Sequence, residues 1–254
     1  MLHKNLSKLL IAGVLCVQAE GASSVLINGN FEAFDIAAAP YSTPFNATTN
    51  PNGYKANFGG LASGVTAGWY GAATTGIGWQ TDQTGANDVI EIWKSGFLGI
   101  NSLSGSGQYA ELNANSAGAL YQDVTIPVVG DVDYGFSHTN RVLGTDTMRV
   151  LITYLGTDGL IGGGDDVVEV NRQFSTTNTT TPRLWNDFAV DNAFVSVAGG
   201  TYRFSFGAVS TSGPALSEGN FLDNVRFGVG VVPEPSTALL GAFGALALLR
   251  RRRH

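Results

Sequence analysis

Apolar and polar residues alternate in short runs through most of the chain. Val89-Ile90-Glu91-Ile92-Trp93 and Gln108-Tyr109-Ala110-Glu111-Leu112-Asn113 are two such runs. Leu120 to Ile126, Tyr134 to Asn140, Met148 to Leu155, Val167 to Phe174, Thr201 to Val209 and Phe221 to Phe227 continue the series. Period-two alternation, β-branched and aromatic enrichment, and Gly or Asp at the breaks predict strands. No amphipathic helical pattern stands between them. Many strands without helices predict an all-β fold, an antiparallel sandwich or barrel. Residues from about Ala37 to Gly68 hold Pro40, Pro44 and Pro51 among Asn, Thr and Gly. They predict a long surface loop or a weakly paired hairpin. Thr176 to Pro182 predicts a polar turn. No fixed-period repeat appears, so one domain is expected.

The two ends break this pattern. Met1 to Lys8 carries Lys4 and Lys8, an apolar run Leu9 to Val17 follows, and Val17-Gln18-Ala19 supplies small residues for a peptidase. These are the three parts of a secretory signal peptide. Cleavage is expected after Ala19, with Ala22 as second choice and an uncleaved anchor as the alternative. The expected division is 1–19 signal helix, 20–231 sandwich and 232–254 a C-terminal signal with a hydrophobic helix. Cys16 lies in the removed run behind Leu15, where a lipid-attachment signal wants a small residue. A mature chain without cysteine has no disulfide or thiolate metal site.

At the other end, Val232-Pro233-Glu234-Pro235-Ser236 precedes an apolar stretch, Thr237 to Leu249, and Arg250 to Arg253 close it. As a helix that stretch spans about 20 Å at 1.5 Å per residue, short of a roughly 30 Å hydrocarbon core. The arginines would stay on the cytoplasmic side. A brief hold in the inner membrane through 237–253 is expected, with an ordinary transmembrane anchor as the alternative. Between the ends, Glu20 to Val232 holds eight basic and nineteen acidic residues, a net charge of −11. Such a body repels phosphate backbones, so nucleic acid is not an expected partner. It suits neutral glycans or bridged cations.

The C-terminal arrangement resembles the PEP-CTERM sorting signal of Gram-negative bacteria. That resemblance implies cleavage by an exosortase near Val232, Pro233, Glu234 and Pro235, and delivery to the cell surface or an exopolysaccharide matrix. A second resemblance rests on Asn28-Gly29-Asn30-Phe31-Glu32, Gly68-Trp69 and Phe221-Leu222-Asp223-Asn224-Val225. These segments are similar to galactose-binding-like jelly-roll modules, which include many carbohydrate-binding modules. It implies a jelly-roll β-sandwich and a structural calcium ion held by Glu32 and Asp223. The alternative for these two carboxylates is a hydrogen bond to backbone amides at strand ends.

Several residues are candidates for contact with extracellular polysaccharide. Glu91 and Trp93 share one face of their strand, as Tyr109 and Glu111 do on theirs. If the strands pair, aromatic rings and carboxylates stand together, the first to stack on sugar rings and the second to read hydroxyls. Trp69 and Trp79 belong near loops, and Arg141 follows the His138 run. The alternative places Trp93 and Tyr109 in the core. Glu91 with Glu111 would make a glycosidase pair only if set about 5 or 6.5–9.5 Å apart across a cleft. His138 is the single histidine of the mature body, which excludes a multi-histidine metal site and predicts a hydrogen-bonded sheet residue. Asp158, Asp165 and Asp166 flank a glycine-rich loop and are a second candidate calcium site, or a solvated hairpin turn. The expected function is non-catalytic: adhesion to, or organisation of, extracellular polysaccharide. A matrix protein with protein partners is the alternative, and a glycoside-active enzyme the third.

Overall fold

The computed structural model describes residues 24–33, 36, 54–56, 67–71, 76–84, 88–103, 107–215 and 217–230. The signal-peptide residues and the Pro-Glu-Pro segment with its apolar run lie outside the described residues. Among the described residues no helix is long and apolar enough to cross a membrane.

Among the described residues twelve strands form two antiparallel sheets. They are β1 Tyr54–Ala56, β2 Ala67–Tyr70, β3 Gln80–Thr81, β4 Ile90–Lys94, β5 Gln108–Glu111 and β6 Ala119–Ile126, followed by β7 Asp131–Thr139, β8 Gly144–Tyr154, β9 Val167–Asn178, β10 Asn186–Val195, β11 Gly200–Ser210 and β12 Phe221–Val229. A seven-stranded sheet runs β1-β2-β4-β5-β12-β7-β10, and a five-stranded sheet runs β3-β6-β11-β8-β9. The all-β, jelly-roll-type sandwich expected from the alternation is the fold observed.

Each expected run is a strand, with ends shifted by a few residues. Thr176, expected in a turn, extends β9 to Asn178. The Ala37–Gly68 region contributes the β1–β2 hairpin. Strand β10 was not expected. A register shift between Val190 and Phe194 interrupts its alternation, so its sequence does not read as one continuous strand.

The inner faces meet in one large core. Tyr70, Ile90, Ile92, Phe136, Leu222 and Phe227 from one sheet pack with Val150, Ile152, Phe204 and Phe206 from the other. Burying each such side chain is worth about 1.5–3 kcal/mol. The segment before β1 runs beside β12, with Val25 N–H donating to Phe227 O and Val225 N–H donating to Gly29 O. A Cβ on Gly29 would stand 2.2 Å from Val225 O, so only glycine permits this approach. His138 points inward and is fully buried, bonded through Nδ1 to Thr176 and through Nε2 to Asn220. Burial lowers its pKa to about 4.

Candidate functional site: a roofed face of the seven-stranded sheet

The side chains of the seven-stranded sheet that point away from the core form two rows. Register aligns Trp69, Glu91, Glu111, Phe221 and Thr139 in the first. It aligns Ala67, Trp93 and Tyr109 in the second, with Asp223, Ser137 and Asp187 beyond. The expected pairing of Glu91 with Glu111 and of Trp93 with Tyr109 is therefore observed. On an ordinary sandwich this face would meet water. Here Ala67, Trp93, Ile100, Tyr109 and Phe221 form a second buried cluster, flanked by half-buried Trp69, Phe97 and Trp185.

The cover is the segment after β4. It turns at Gly96 (φ 92°), forms a short 3-10 turn over Phe97–Gly99 and returns toward β5. The Phe97 ring lies flat on Trp93, centroids 4.8 Å apart and planes 17° apart. Three of its bonds tie the segment to β12 and to the stretch before β10. Trp185 Nε1 donates to Asn101 O at 2.7 Å, Arg183 Nη1 to Leu98 O at 3.1 Å, and Leu103 N–H to Asp223 Oδ2 at 2.8 Å.

Beneath this roof Glu91 is 2 % exposed and Glu111 is fully buried. Side chains directly opposed on neighbouring strands have Cβ atoms about 4.5–5.5 Å apart. A single guanidinium serves the pair. Arg141 Nη1 stands 3.4 Å from both carboxylate oxygens of Glu111, and its charge sits 4.8 Å above the Trp93 ring. Gly219 N–H also donates to Glu111 Oε1 at 2.7 Å. Burial raises the Glu111 pKa to about 7 against the pull of Arg141 and Gly219. Burial, then the Glu111 charge, holds Glu91 well above the ordinary carboxylate range. Glu91 Oε2 and the Tyr109 hydroxyl have no hydrogen-bond partner among the described residues. Buried polar atoms are normally satisfied, and exceptions concentrate at sites of function.

Two expectations about these residues are corrected. Trp93, Tyr109, Glu91 and Glu111 are not an open platform, because period-two alternation assigns a face but does not show whether another segment covers it. Trp79 is not a loop residue open to ligand. It is fully buried, stacks on Phe31 at 5.4 Å and donates from Nε1 to Asn28 O. Glu91 and Glu111 stand side by side on one face, as the pairing of the two runs predicts, and that face is covered. Trp185, Phe97 and Arg183 were missed. They lie in segments without alternation, and only the folded chain brings them over β4 and β5.

The two carboxylates expected to hold calcium, Glu32 and Asp223, accept hydrogen bonds from backbone amides. Glu32 Oε1 accepts from the N–H groups of Gly107 and Gln108, and Asp223 accepts from Leu103 and Asn224. These bonds are of the kind expected of carboxylates that hydrogen-bond backbone amides at strand ends. In the glycine-rich loop, Asp165 accepts from Thr157, Asp158 from Leu160 N–H and Asp166 from Gly162 N–H. Among the described residues no three His, Cys, Asp or Glu side chains group as a metal site.

The fold and this face define a β-sandwich with one roofed, acid- and aromatic-lined sheet. The C-terminus adds a defined address: residues 231–253 match the PEP-CTERM protein-sorting motif. That motif marks export and surface sorting in bacteria. No curated protein sequence matches the chain. Solved structures resemble it in outline. One is TmCBM61 in complex with beta-1,4-galactotriose (15% identity, 59% of this chain and 86% of that chain, TM-score 0.38). A family 35 carbohydrate binding module from Clostridium thermocellum is similar at 17% identity, covering 51% and 84%, with TM-score 0.33. The xylan-binding domain from CBM 22 is similar at 13% identity, covering 64% and 93%, with TM-score 0.39. At these scores the likeness carries no argument about ligand, which must come from the site.

Proposed function

We propose that this is a surface-sorted, non-catalytic protein that binds neutral extracellular polysaccharide through the outer face of its seven-stranded sheet. The observation that supports this reading is the grouping there of Trp69, Trp93, Tyr109 and Trp185 with Glu91, Glu111 and Arg141. Aromatic faces accept the C–H side of a sugar ring, and convergent charged groups read its hydroxyls. Trp69, Trp185 and Arg141 are partly exposed and form the accessible rim. The body's charge of −11 favours neutral over anionic glycans. The sorting motif supports delivery to a surface where such polymers occur, with an exosortase as the processing partner. No step of this reading needs a metal or a reaction.

The test is a glycan array with the mature chain, followed by titration of the best oligosaccharide. Trp69→Ala is expected to weaken binding about three- to tenfold, the worth of one stacked ring, with the melting temperature little changed. Absence of binding to every glycan would sink the proposal and favour a matrix protein with protein partners.

A further inference from the structure

Phe97 is the most unusual member of the roof. Its ring lies parallel to Trp93 at 4.8 Å, the placement a bound sugar ring would take on that indole. It rides on a tip flanked by two glycines in the left-handed region, Gly96 at φ 92° and Gly99 at φ 73°. Between them Leu98 holds φ 55°, a conformation uncommon for a branched aliphatic residue, and its side chain is 43% exposed. A Cβ on Gly99 would meet nothing within 4 Å, so open space lies on that side. The tip's hydrogen bonds are local or exposed: Gly96 N–H to Ile100 O, Gly99 N–H to Gly96 O, Ile100 N–H to Phe97 O, and the exposed Arg183 bond to Leu98 O.

What lies under the tip is unsatisfied. Glu91 Oε2, the Tyr109 hydroxyl and Ser102 Oγ are buried without hydrogen-bond partners among the described residues. Glu91 and Tyr109 stand on the β4–β5 face that carries Trp93, and Ser102 belongs to the covering segment, its N–H donating to Ser95 Oγ. A phenyl ring can fill the volume above Trp93 but can offer these atoms nothing. A ligand of the same thickness with hydroxyls around its edge could serve both needs.

We infer that Phe97 is a built-in plug of a sugar-ring subsite on Trp93: the Gly96–Gly99 tip swings out, a pyranose ring takes the place of the phenyl, and its hydroxyls donate to Glu91 and bond Tyr109 and Ser102. This rests on the glycan-binding reading above and adds its regulation. The closed form withholds the subsite, so the apparent affinity is reduced by the fraction of molecules in which the tip is open. Contact with a polymer that presents many rings at once would favour the open form.

The test compares the mature wild-type chain with Phe97→Ala on a panel of neutral gluco-, galacto-, xylo- and manno-oligosaccharides. Phe97 is a half-exposed roof residue outside the main core, so the variant is expected to fold. It should bind the preferred oligosaccharide about tenfold more tightly, as for a closed form that outnumbers the open one about ten to one. Hydrogen exchange gives an independent readout. On adding that oligosaccharide to the wild type, the Gly99 and Ile100 amides should exchange faster as the tip opens. If the wild type binds a glycan and Phe97→Ala binds it equally or more weakly, the plug is refuted while glycan binding stands. The same holds if those amides become more protected on binding. If neither protein binds any member of the panel, both proposals fall.

Discussion

The two outward faces of this sandwich are built from the same alternation and end in opposite states. On the five-stranded sheet several outward polar pairs close on each other in water. Thr125 meets Thr201, Thr145 meets Thr177, and Thr147 meets Ser175 across neighbouring strands. Arg203 forks onto Asp123 with two bonds of 2.7 Å and lies over Tyr121. On the seven-stranded sheet the outward residues of β4 and β5 are largely buried, two carboxylates lie near one arginine, and Glu91 Oε2 and the Tyr109 hydroxyl lack hydrogen-bond partners among the described residues. Alternation fixes which side chains leave the core; the segment joining β4 to β5 decides whether they reach solvent. The difference separates a face that stabilises itself from one whose interactions await a ligand.

The contrast is sharpest at the arginines. Arg141 is 3.4 Å from its carboxylate and Arg203 is 2.7 Å from its own, yet the longer contact should matter more. Glu111 has a side chain with no exposure, so removing its cation leaves a charge that water cannot reach. Breaking a buried pair costs about 3–5 kcal/mol. The carboxyl can escape part of that cost by taking a proton, so Arg141→Ala should destabilise by about 2 kcal/mol near neutral pH. Urea unfolding measures it, and the loss should grow as pH rises. A loss under 0.5 kcal/mol would mean that the roof admits water.

The same pair gives the protein a pH signature. Glu111 titrates near 7 when folded against an ordinary value of 4.5, and Glu91 is also raised. The folded state therefore holds protons that the unfolded state has released, and this contribution is present below about pH 4.5 and lost as pH rises through 7. His138 acts in the other direction. Its folded value of about 4 lies below 6.5, so its contribution is present above pH 6.5 and lost as pH falls toward 4. The two oppose each other between 4.5 and 6.5. From 6.5 to 8 only the carboxylates act, and stability should fall by about 1–2 kcal/mol. The double variant Glu91→Gln/Glu111→Gln should lose that decline, as unfolding curves at pH 6.5 and 8 would show. A decline that survives in the double variant would place its origin elsewhere.

These effects also mark what the sequence could and could not reveal. The face shared by Glu91, Trp93, Tyr109 and Glu111 was legible, because side chains two apart on a strand point the same way and the two runs pair in register. Arg141 was among the candidates, but its pairing with Glu111 was not legible, since it lies beyond the end of β7 in a stretch without periodicity. The cover was invisible for a different reason. Gly96, Leu98 and Gly99 obey no periodicity, and the tethers from Arg183 and Trp185 arrive from more than 80 positions away. Strand β10 escaped because its bulge near Asp191 and Asn192 breaks the period by which strands are recognised.

The smallest effect tests the quiet side of the comparison. Arg203 and Asp123 have side chains 22% and 30% exposed. Their geometry is the better of the two ion pairs, with a two-pronged contact at short range. Both ions nevertheless keep access to water in either state, so forming the pair recovers little that solvation does not already provide. Exposed pairs are worth about 0.2–1 kcal/mol, and salt screens them. Arg203→Ala should therefore cost about 0.5 kcal/mol, plus a small loss from uncovering Tyr121. The cost should shrink in 1 M salt, whereas the Arg141→Ala loss should change little there. Equal losses for the two variants in urea titrations would show that distance, not burial of the carboxylate, sets the worth of these pairs, and would remove the distinction between the two faces.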